Sequence, residues 1–296
     1  MKEGCGHPAR RKKKKHFAGE GHALNKKTYF CLVASSPTNR PPECFTNSPS
    51  PPKKENLNMK KKIVILTGAG MSAESGFSTF RDADGLWEHY PVEKVATPQG
   101  WAEDPNLVTD FYNGLRRQLV LALPNLGHYL LAKLEMNYDV QIITQNVDDL
   151  HERAGSSHVL HLHGELMKVC SSLDPNDPRY IVKLPRDHVE VSADDRAGDG
   201  SRLRPWIVWF GEAVPNLEPA ARLCQQADAF VIIGSSLNVY PAAGLVNYVP
   251  KRVPVFVIDP KPVKVPSDRP IETIEQVASE GVGTLISRLE ETLGTR

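Results

Sequence analysis

The 296-residue chain has few cysteines and no long apolar run, and these absences exclude several classes of protein. No stretch approaches the roughly 18 consecutive apolar residues that a membrane-spanning helix needs. The five cysteines form no C-x-x-C pair, so the sequence predicts neither a disulfide framework nor a cysteine-based zinc site. Cys170 and Cys224 are widely spaced, which fits a reducing compartment, and we predict a cytoplasmic protein that does not bind membranes.

Charge is distributed unevenly along the chain. Residues 1–58 carry 12 Lys/Arg and 4 Asp/Glu, whereas residues 59–296 carry 24 and 31. The first segment also holds a basic run at residues 10–15 and seven prolines, so we predict disorder there. Its basic run leaves open a targeting signal or a nucleic-acid patch. A second interpretation is favoured by Met59-Lys60-Lys61-Lys62, which directly precedes a predicted strand and is typical of a translation start. Residues 1–58 would then be upstream sequence that the native protein does not contain.

From residue 63 onward, short β-branched runs alternate with helical patterns. The candidate strands are residues 63–66, 140–144, 230–234 and 255–259, and the candidate helices are residues 106–121 and 127–135. This alternation predicts an α/β fold: a Rossmann-like, doubly wound parallel sheet within a domain at 59–296. The turn-rich stretch at about 164–206 breaks the pattern and predicts a small inserted lobe.

Glycines and polar residues follow the predicted strands, where such sheets bind ligands. Gly68-Ala69-Gly70 comes after the first strand, and its glycines would let the backbone approach a pyrophosphate. Tight strand-to-helix turns use the same glycines without a ligand, so this turn alone is a weak indication. The second strand is followed by Gln145-Asn146-Val147-Asp148. These polar residues would either bind a ligand or simply form a turn.

Two histidines alternate in the strand-like run at residues 159–164, which places both on one face. Gly164 would let the backbone turn toward a ligand directly after His163. An imidazole has a suitable proton affinity for general-base chemistry near neutral pH. We therefore predict His163 as the base and His161 as a structural residue.

Read in order, the stretches at residues 68–76, 145–148 and 161–165 resemble those of the sirtuins, the NAD-dependent protein deacylases, and the resemblance covers nearly everything after Met59. It implies that Asn146 assists His163 in catalysis by ordering water and substrate. The departure at Phe77-Ser78 from the family's Ile-Pro should loosen a loop over NAD. The resemblance implies these NAD-binding residues: Gly68, Ala69, Gly70, Ser72, Phe80, Arg81, Gln145, Asp148, Gly234, Ser235, Ser236 and Asp259.

The same resemblance implies the reaction. NAD would be a consumed cosubstrate, and the acyl group of a protein lysine would move to its ADP-ribose part with release of nicotinamide. Two alternatives stay open: a NAD glycohydrolase that uses water as the acceptor, and a catalytically silent NAD-binding module. An oxidoreductase is disfavoured because the glycine turn is incomplete. We expect acylated proteins as partners, and no specific nucleic acid.

The segments at residues 208–212 and 237–242 resemble the two between which sirtuins clamp an extended substrate. They contribute the candidates Val208, Phe210, Gly211 and Val239. Tyr112 matches a tyrosine of the sirtuins that also remove succinyl and malonyl groups. Those sirtuins carry an arginine three residues later, where this chain has Leu115. Arg116 lies on the same helical face as Tyr112 and would replace that arginine imperfectly. We therefore expect deacetylation to be retained and desuccinylation to be weakened.

Most sirtuins also carry two C-x-x-C pairs that hold a structural zinc ion. Here the single Cys170 lies in the corresponding lobe, and no nearby histidine or aspartate has zinc-ligand spacing. We therefore predict no metal and a lobe held by packing and turns, with Tyr180 and Trp206 as candidates.

Overall fold

The computed structural model describes residues 60–77, 90–265 and 269–294, all within one compact unit that spans residues 56–296. The predicted disordered segment at 1–58 therefore lies outside the described residues. Within the described part of the chain, no helix is long and apolar enough to cross a membrane.

A six-stranded parallel sheet forms the centre of the domain. Its strand order is β3-β2-β1-β7-β8-β9. The chain fills one half of this sheet and then returns to fill the other, so a topological switch point lies between β1 and β7. This arrangement confirms the predicted Rossmann-like α/β fold. The strands are β1 (Lys62–Thr67), β2 (Asp139–Thr144), β3 (Val159–His161), β7 (Ala229–Ile233), β8 (Val255–Ile258) and β9 (Glu272–Ile274).

Helices cover both faces of this sheet, and the buried β-branched residues of the strands point alternately to the two sides. The helices among the described residues are α1 (Gly70–Ala73), α2 (Val92–Val95), α3 (Pro98–Glu103), α4 (Pro105–Leu121), α5 (Leu126–Leu134), α6 (Leu150–Ala154), α7 (Leu217–Gln225) and α8 (Ala278–Leu293). One core contains α5 and α8, and the other contains α7 and the 3-10 helix Ala242–Tyr248.

A second, antiparallel sheet has the order β5-β4-β6. Its strands are β4 (Gly164–Ser171), β5 (Val182–Lys183) and β6 (Leu203–Ile207). Helices α2 and α4 pack on this sheet through a third core that includes Phe111, Leu166 and Trp209. The sequence patterns did not indicate that the helices before residue 121 join this second sheet.

The strand-like run that carries the two histidines is in fact divided. Strand β3 ends at His161, and Gly164 begins β4 in the other sheet. Gly164 has φ +84°, and a Cβ atom there would lie 2.1 Å from the carbonyl oxygen of Trp206. The prediction that both histidines occupy one face of one strand is wrong, because this glycine turn separates the two sheets.

A hydroxyl network lies at one end of the antiparallel sheet, around Ser171, the last residue of β4. The buried Ser171 hydroxyl donates to Asp199 (2.6 Å), lies 2.9 Å from the Ser201 hydroxyl, and accepts the backbone N–H of Leu173. Hydrogen bonds from Ser171 and Ser201 lower the pKa of Asp199. Among the described residues, no group of three His, Cys, Asp or Glu could hold a metal ion.

Replacing Ser171 by alanine should destabilise the domain by about 0.5–1.5 kcal/mol, because the variant loses the hydrogen bonds of a buried hydroxyl while water can still reach Asp199. The free energy of unfolding in urea measures this loss. Ser192→Ala removes the same hydroxyl from an exposed turn and should change stability by less than about 0.5 kcal/mol. Equal stabilities of the two variants would show that the network does not hold the small sheet.

Candidate functional site

Backbone atoms build a narrow cradle at the switch point. The Gly68 N–H donates to the Ile233 carbonyl (2.9 Å), and the Gly70 N–H donates to the Gly234 carbonyl (2.8 Å). A Cβ atom at Gly68 would lie 2.7 Å from the Gly234 carbonyl oxygen. Helix α1 is only four residues long, so close backbone approach is the main feature of the cradle and the helix dipole contributes less.

A hydrogen-bonded network joins the cradle to the loop after β2. The Asn146 side-chain amide donates to the Gly68 carbonyl (3.0 Å) and to the Ser72 hydroxyl (3.1 Å). Ser72 in turn donates to the Asp148 carboxylate (2.8 Å). Burial raises the pKa of Asp148, and the hydrogen bonds from the Leu150 N–H and Ser72 oppose that rise. The site thus holds a buried carboxylate beside an amide.

A second link connects the two halves of the sheet. The Gln145 side-chain amide donates to the Ser235 hydroxyl (2.8 Å), which lies just after β7. The backbone N–H of Leu237 also reaches this hydroxyl, and Leu237 has φ +53°, an uncommon conformation for leucine. The polar residues after β2 and β7 therefore meet at the switch point, as their positions at strand ends predicted.

Two threonine hydroxyls at the strand ends hold the loop after β2 in place, and neither residue was predicted from the sequence. The Thr67 hydroxyl donates to that of Thr144 (2.8 Å), which accepts the backbone N–H of Asn146 (3.0 Å). Both threonines are fully buried at the last positions of β1 and β2. A threonine ending each of two successive strands is the signal that could have found them.

The ring of His163 is oriented by the same loop. Its Nδ1 lies 3.0 Å from the Gln145 carbonyl oxygen, which can only accept, so Nδ1 carries the hydrogen. The lone pair is then on Nε2, the arrangement that a general base needs. Burial lowers the pKa of His163, although its hydrogen bond to Gln145 opposes this effect. The base is therefore neutral at physiological pH.

The remaining predicted NAD-binding residues lie around this centre. Ala69 separates the two cradle glycines, and the exposed Ser236 follows Ser235. Asp259 follows β8, is partly buried, and accepts the backbone N–H of Lys261 (2.9 Å). Phe80 and Arg81 lie outside the described residues.

The predicted substrate segment adjoins His163 directly. The backbone N–H of Val208 donates to the His163 carbonyl (2.9 Å), so one residue contacts both the loop after β2 and this segment. Phe210 and Gly211 are exposed beyond it, and Gly211 has φ +92°. Val239 is partly buried in the other predicted segment.

Tyr112 belongs to the third core, and the buried Arg116 lies on the same helix, α4. The Trp209 indole donates to the Tyr112 hydroxyl (2.9 Å). Arg116 donates to the Leu166 carbonyl and to Asn113, each at 2.9 Å, while its Nη2 has no partner among the described residues. Burial lowers the pKa of Arg116 to about 10. Arg116 is thus mainly engaged with protein groups, which leaves one nitrogen for a ligand.

A family model described as the Sir2 family matches residues 68–241. The chain belongs to the Sir2 family. The Sir2 match contains every predicted site residue except Asp259. Among relatives, a protein of Bacteroides thetaiotaomicron named NAD-dependent protein deacylase is 63% identical over 225 residues, covering 76% of this chain and 96% of that relative. One of the same name from Helicobacter pylori (strain ATCC 700392 / 26695) is 51% identical, covering 78% and 98%.

Solved Sir2 structures share the fold. A Sir2 homologue in complex with NAD is 37% identical, with a TM-score of 0.69 over 79% of this chain and 91% of that one. A Sir2 homologue mutant in complex with ADP-ribose is 36% identical, with a TM-score of 0.71 over 80% and 95%.

Proposed function

We propose that this Sir2 protein is an NAD-dependent protein-lysine deacylase that transfers the acyl group to ADP-ribose. The observation that carries this proposal is the position of His163. Its ring is bound to the Gln145 carbonyl of the NAD-side loop, and its own carbonyl is bound to Val208 of the substrate segment. A general base at this junction would serve both reactants.

The residues present fit NAD, because the glycines let the turns after β1 and β7 approach closely, and the buried Asp148 carboxylate lies in one network with the Asn146 amide. When bound, NAD supplies a ribose carbon that can exchange nicotinamide for the acyl-lysine oxygen. The cradle glycines and Ser235 would hold the phosphates and the adenosine side, and Asp148 would bind the nicotinamide amide. Asn146 would position the substrate oxygen and water. His163 would accept a ribose hydroxyl proton at Nε2.

Acylated lysines in proteins are the substrates that this proposal implies. Phe210 and Gly211 are exposed in the same segment as Val208, which places a surface that a protein substrate can reach beside His163. The buried free thiols Cys170 and Cys224 support a cytoplasmic location.

Peptide dependence tests the proposal against the glycohydrolase alternative. Nicotinamide release from NAD should need an acetyl-lysine peptide and should follow lysine deacetylation in a one-to-one ratio. Release at the same rate without peptide would instead indicate hydrolysis of NAD by water. If nicotinamide is released under neither condition, the catalytically silent NAD-binding module is the remaining alternative.

The pH dependence should follow the neutral state of His163. As pH falls, activity should be lost only when pH passes through the lowered pKa of His163, below the usual histidine value of about 6.5. Initial rates measured from pH 5 to 9 at saturating NAD would show this acidic limb. A limb centred above pH 7 would contradict the assignment.

The acyl preference should favour acetyl over succinyl groups by about 10- to 100-fold in kcat/KM. A succinyl carboxylate would lack a full charge-assisted arginine contact, worth roughly 1.5–3 kcal/mol, because Leu115 replaces the arginine and Arg116 offers only Nη2. Rates on matched acetyl and succinyl peptides measure this ratio.

Leu115→Arg should raise the succinyl-to-acetyl ratio, and the volume-conserving Leu115→Met is the matched control. Equal rates on both peptides in the native protein would show that Arg116 fully replaces the missing arginine.

A further inference from the structure

Within the described part of the chain, the ring of His161 makes two hydrogen bonds, whereas the ring of His163 makes one. It ends strand β3 with 6% of its surface exposed. Its Nδ1 lies 3.0 Å from the backbone carbonyl oxygen of Asn146, and its Nε2 lies 2.8 Å from the carboxylate of Glu152 on helix α6. The ring therefore bridges the loop after β2 and the helix that follows it.

Both partners of this ring are hydrogen-bond acceptors. A carbonyl and an ionised carboxylate can only accept, whereas a neutral imidazole carries a single N–H. Satisfying both contacts requires a hydrogen on each ring nitrogen, which is the imidazolium form. His163 needs only one hydrogen, so the two neighbouring histidines are in different protonation states.

The shared proton could instead sit on Glu152 and leave His161 neutral. Model carboxylic acids are more acidic than imidazolium by about two pKa units, so the proton favours the ring. The Glu152 side chain is also 41% exposed, and water stabilises its ionised form. The pKa of Glu152 is lowered because the hydrogen bond and charge of His161 outweigh its burial.

The charged and titratable groups around His161 favour the cation. Burial alone would lower its pKa, but the hydrogen bond and charge of Glu152, together with the charge of Glu165 on β4, raise it. Burial raises the pKa of Asp148, in the loop after β2, and the nearby charge of His161 opposes this rise. His151 on α6 stays neutral because burial lowers its pKa well below the usual value.

We propose that His161 is a positioning residue that stays protonated through neutral pH and, with Glu152, holds the backbone carbonyl of Asn146 in place for catalysis. This inference rests on the proposed function and extends it to two residues that do not touch the reactants. Asn146 is also held by Thr144 at its N–H and by Gly68 at its side chain. Of these anchors, only His161 can titrate.

The protonation state can be measured directly by NMR on the full chain with 15N-labelled histidine. His161→Asn identifies the His161 signals among the ten histidines. We expect both His161 ring nitrogens to be protonated from pH 6 to 8, while His163 carries hydrogen on Nδ1 alone at pH 7.5. A neutral His161 at pH 7.5 would overturn the proposal.

Glu152→Gln tests the positioning role, and Glu165→Gln is the matched control. Both remove one carboxylate that acts on His161, but only Glu152 is hydrogen-bonded to the ring. In Glu152→Gln, kcat should fall about 10-fold or more between pH 6 and 8, because His161 can now lose the Nδ1 hydrogen that it donates to the Asn146 carbonyl. Glu152→Asp should restore part of the activity at pH 8. In Glu165→Gln, the profile should keep the native shape.

An activity-independent readout separates this inference from the proposed function. The backbone 15N signal of Val147 reports the peptide unit that contains the Asn146 carbonyl. It should move with pH in Glu152→Gln and stay constant from pH 6 to 8 in the native protein and in Glu165→Gln. An unchanged signal in both variants would refute the positioning role. If the native protein lacks deacylation while Glu152→Gln still shows these shifts, only the proposed function is refuted.

Discussion

Replacing His163 by alanine should lower kcat for lysine deacylation by about 10²- to 10⁴-fold, the usual contribution of a positioned general base. Among the described residues, one hydrogen bond holds the ring, from Nδ1 to the Gln145 carbonyl, and the alanine variant has no Nε2 lone pair to accept a proton. The NAD cradle is built from other residues, so the dissociation constant for NAD should change little. Steady-state kinetics and calorimetric titration with NAD measure the two effects separately.

His188→Ala is a suitable control for this variant. His188 is exposed in the loop between β5 and β6, and its replacement should leave both kcat and NAD binding unchanged. If His163→Ala kept its turnover, another residue would have to be the base. If it lost NAD binding instead, the effect would reflect a damaged cradle.

Replacing Gly234 by alanine should abolish measurable NAD binding and lower stability by about 2–5 kcal/mol. Gly234 has φ +59°, which costs alanine roughly 1–2 kcal/mol. The new Cβ atom would also lie 2.3 Å from the Met71 backbone nitrogen, and overpacking of this kind costs about 1–3 kcal/mol. Relief of that contact must separate the loop after β7 from the cradle, which would open the NAD site.

Gly283→Ala in helix α8 provides the matched substitution, because a Cβ atom there meets nothing within 4 Å. It should stabilise the helix by up to about 1 kcal/mol and leave NAD affinity unchanged. Urea unfolding and calorimetry on both variants make the comparison. NAD affinity retained in Gly234→Ala would contradict the role of the close backbone approach.

Much of the fold could be predicted from local patterns. The β-branched runs gave four of the buried parallel strands, and the glycine turn after β1 marked the switch point. The polar residues at 145–148 meet Ser72 and Ser235 because the carboxyl ends of parallel strands lie on one edge of the sheet. These features depend on short-range sequence and on one general rule of topology.

Other features depend on long-range packing that one sequence does not display. The Arg116 guanidinium donates to the carbonyl of Leu166, which is 50 residues away in the sequence. The spacing between Tyr112 and Arg116 therefore did not indicate that protein groups occupy most of the Arg116 donors. The glycine turn at residue 164 divided a run whose alternation predicted one strand. The sequence likewise did not indicate that Glu152 on helix α6 is the partner of His161. Without this contact, a protonated His161 could not be distinguished from a neutral His163.

Product analysis tests the central claim most directly. The full chain is incubated with NAD and an acetyl-lysine peptide, and the products are separated and weighed by mass spectrometry. We predict one O-acetyl-ADP-ribose and one free lysine peptide for each nicotinamide, and formation of O-acetyl-ADP-ribose about 10²- to 10⁴-fold slower in His163→Ala. Nicotinamide and plain ADP-ribose with an intact acetyl peptide would contradict the assignment of a deacylase.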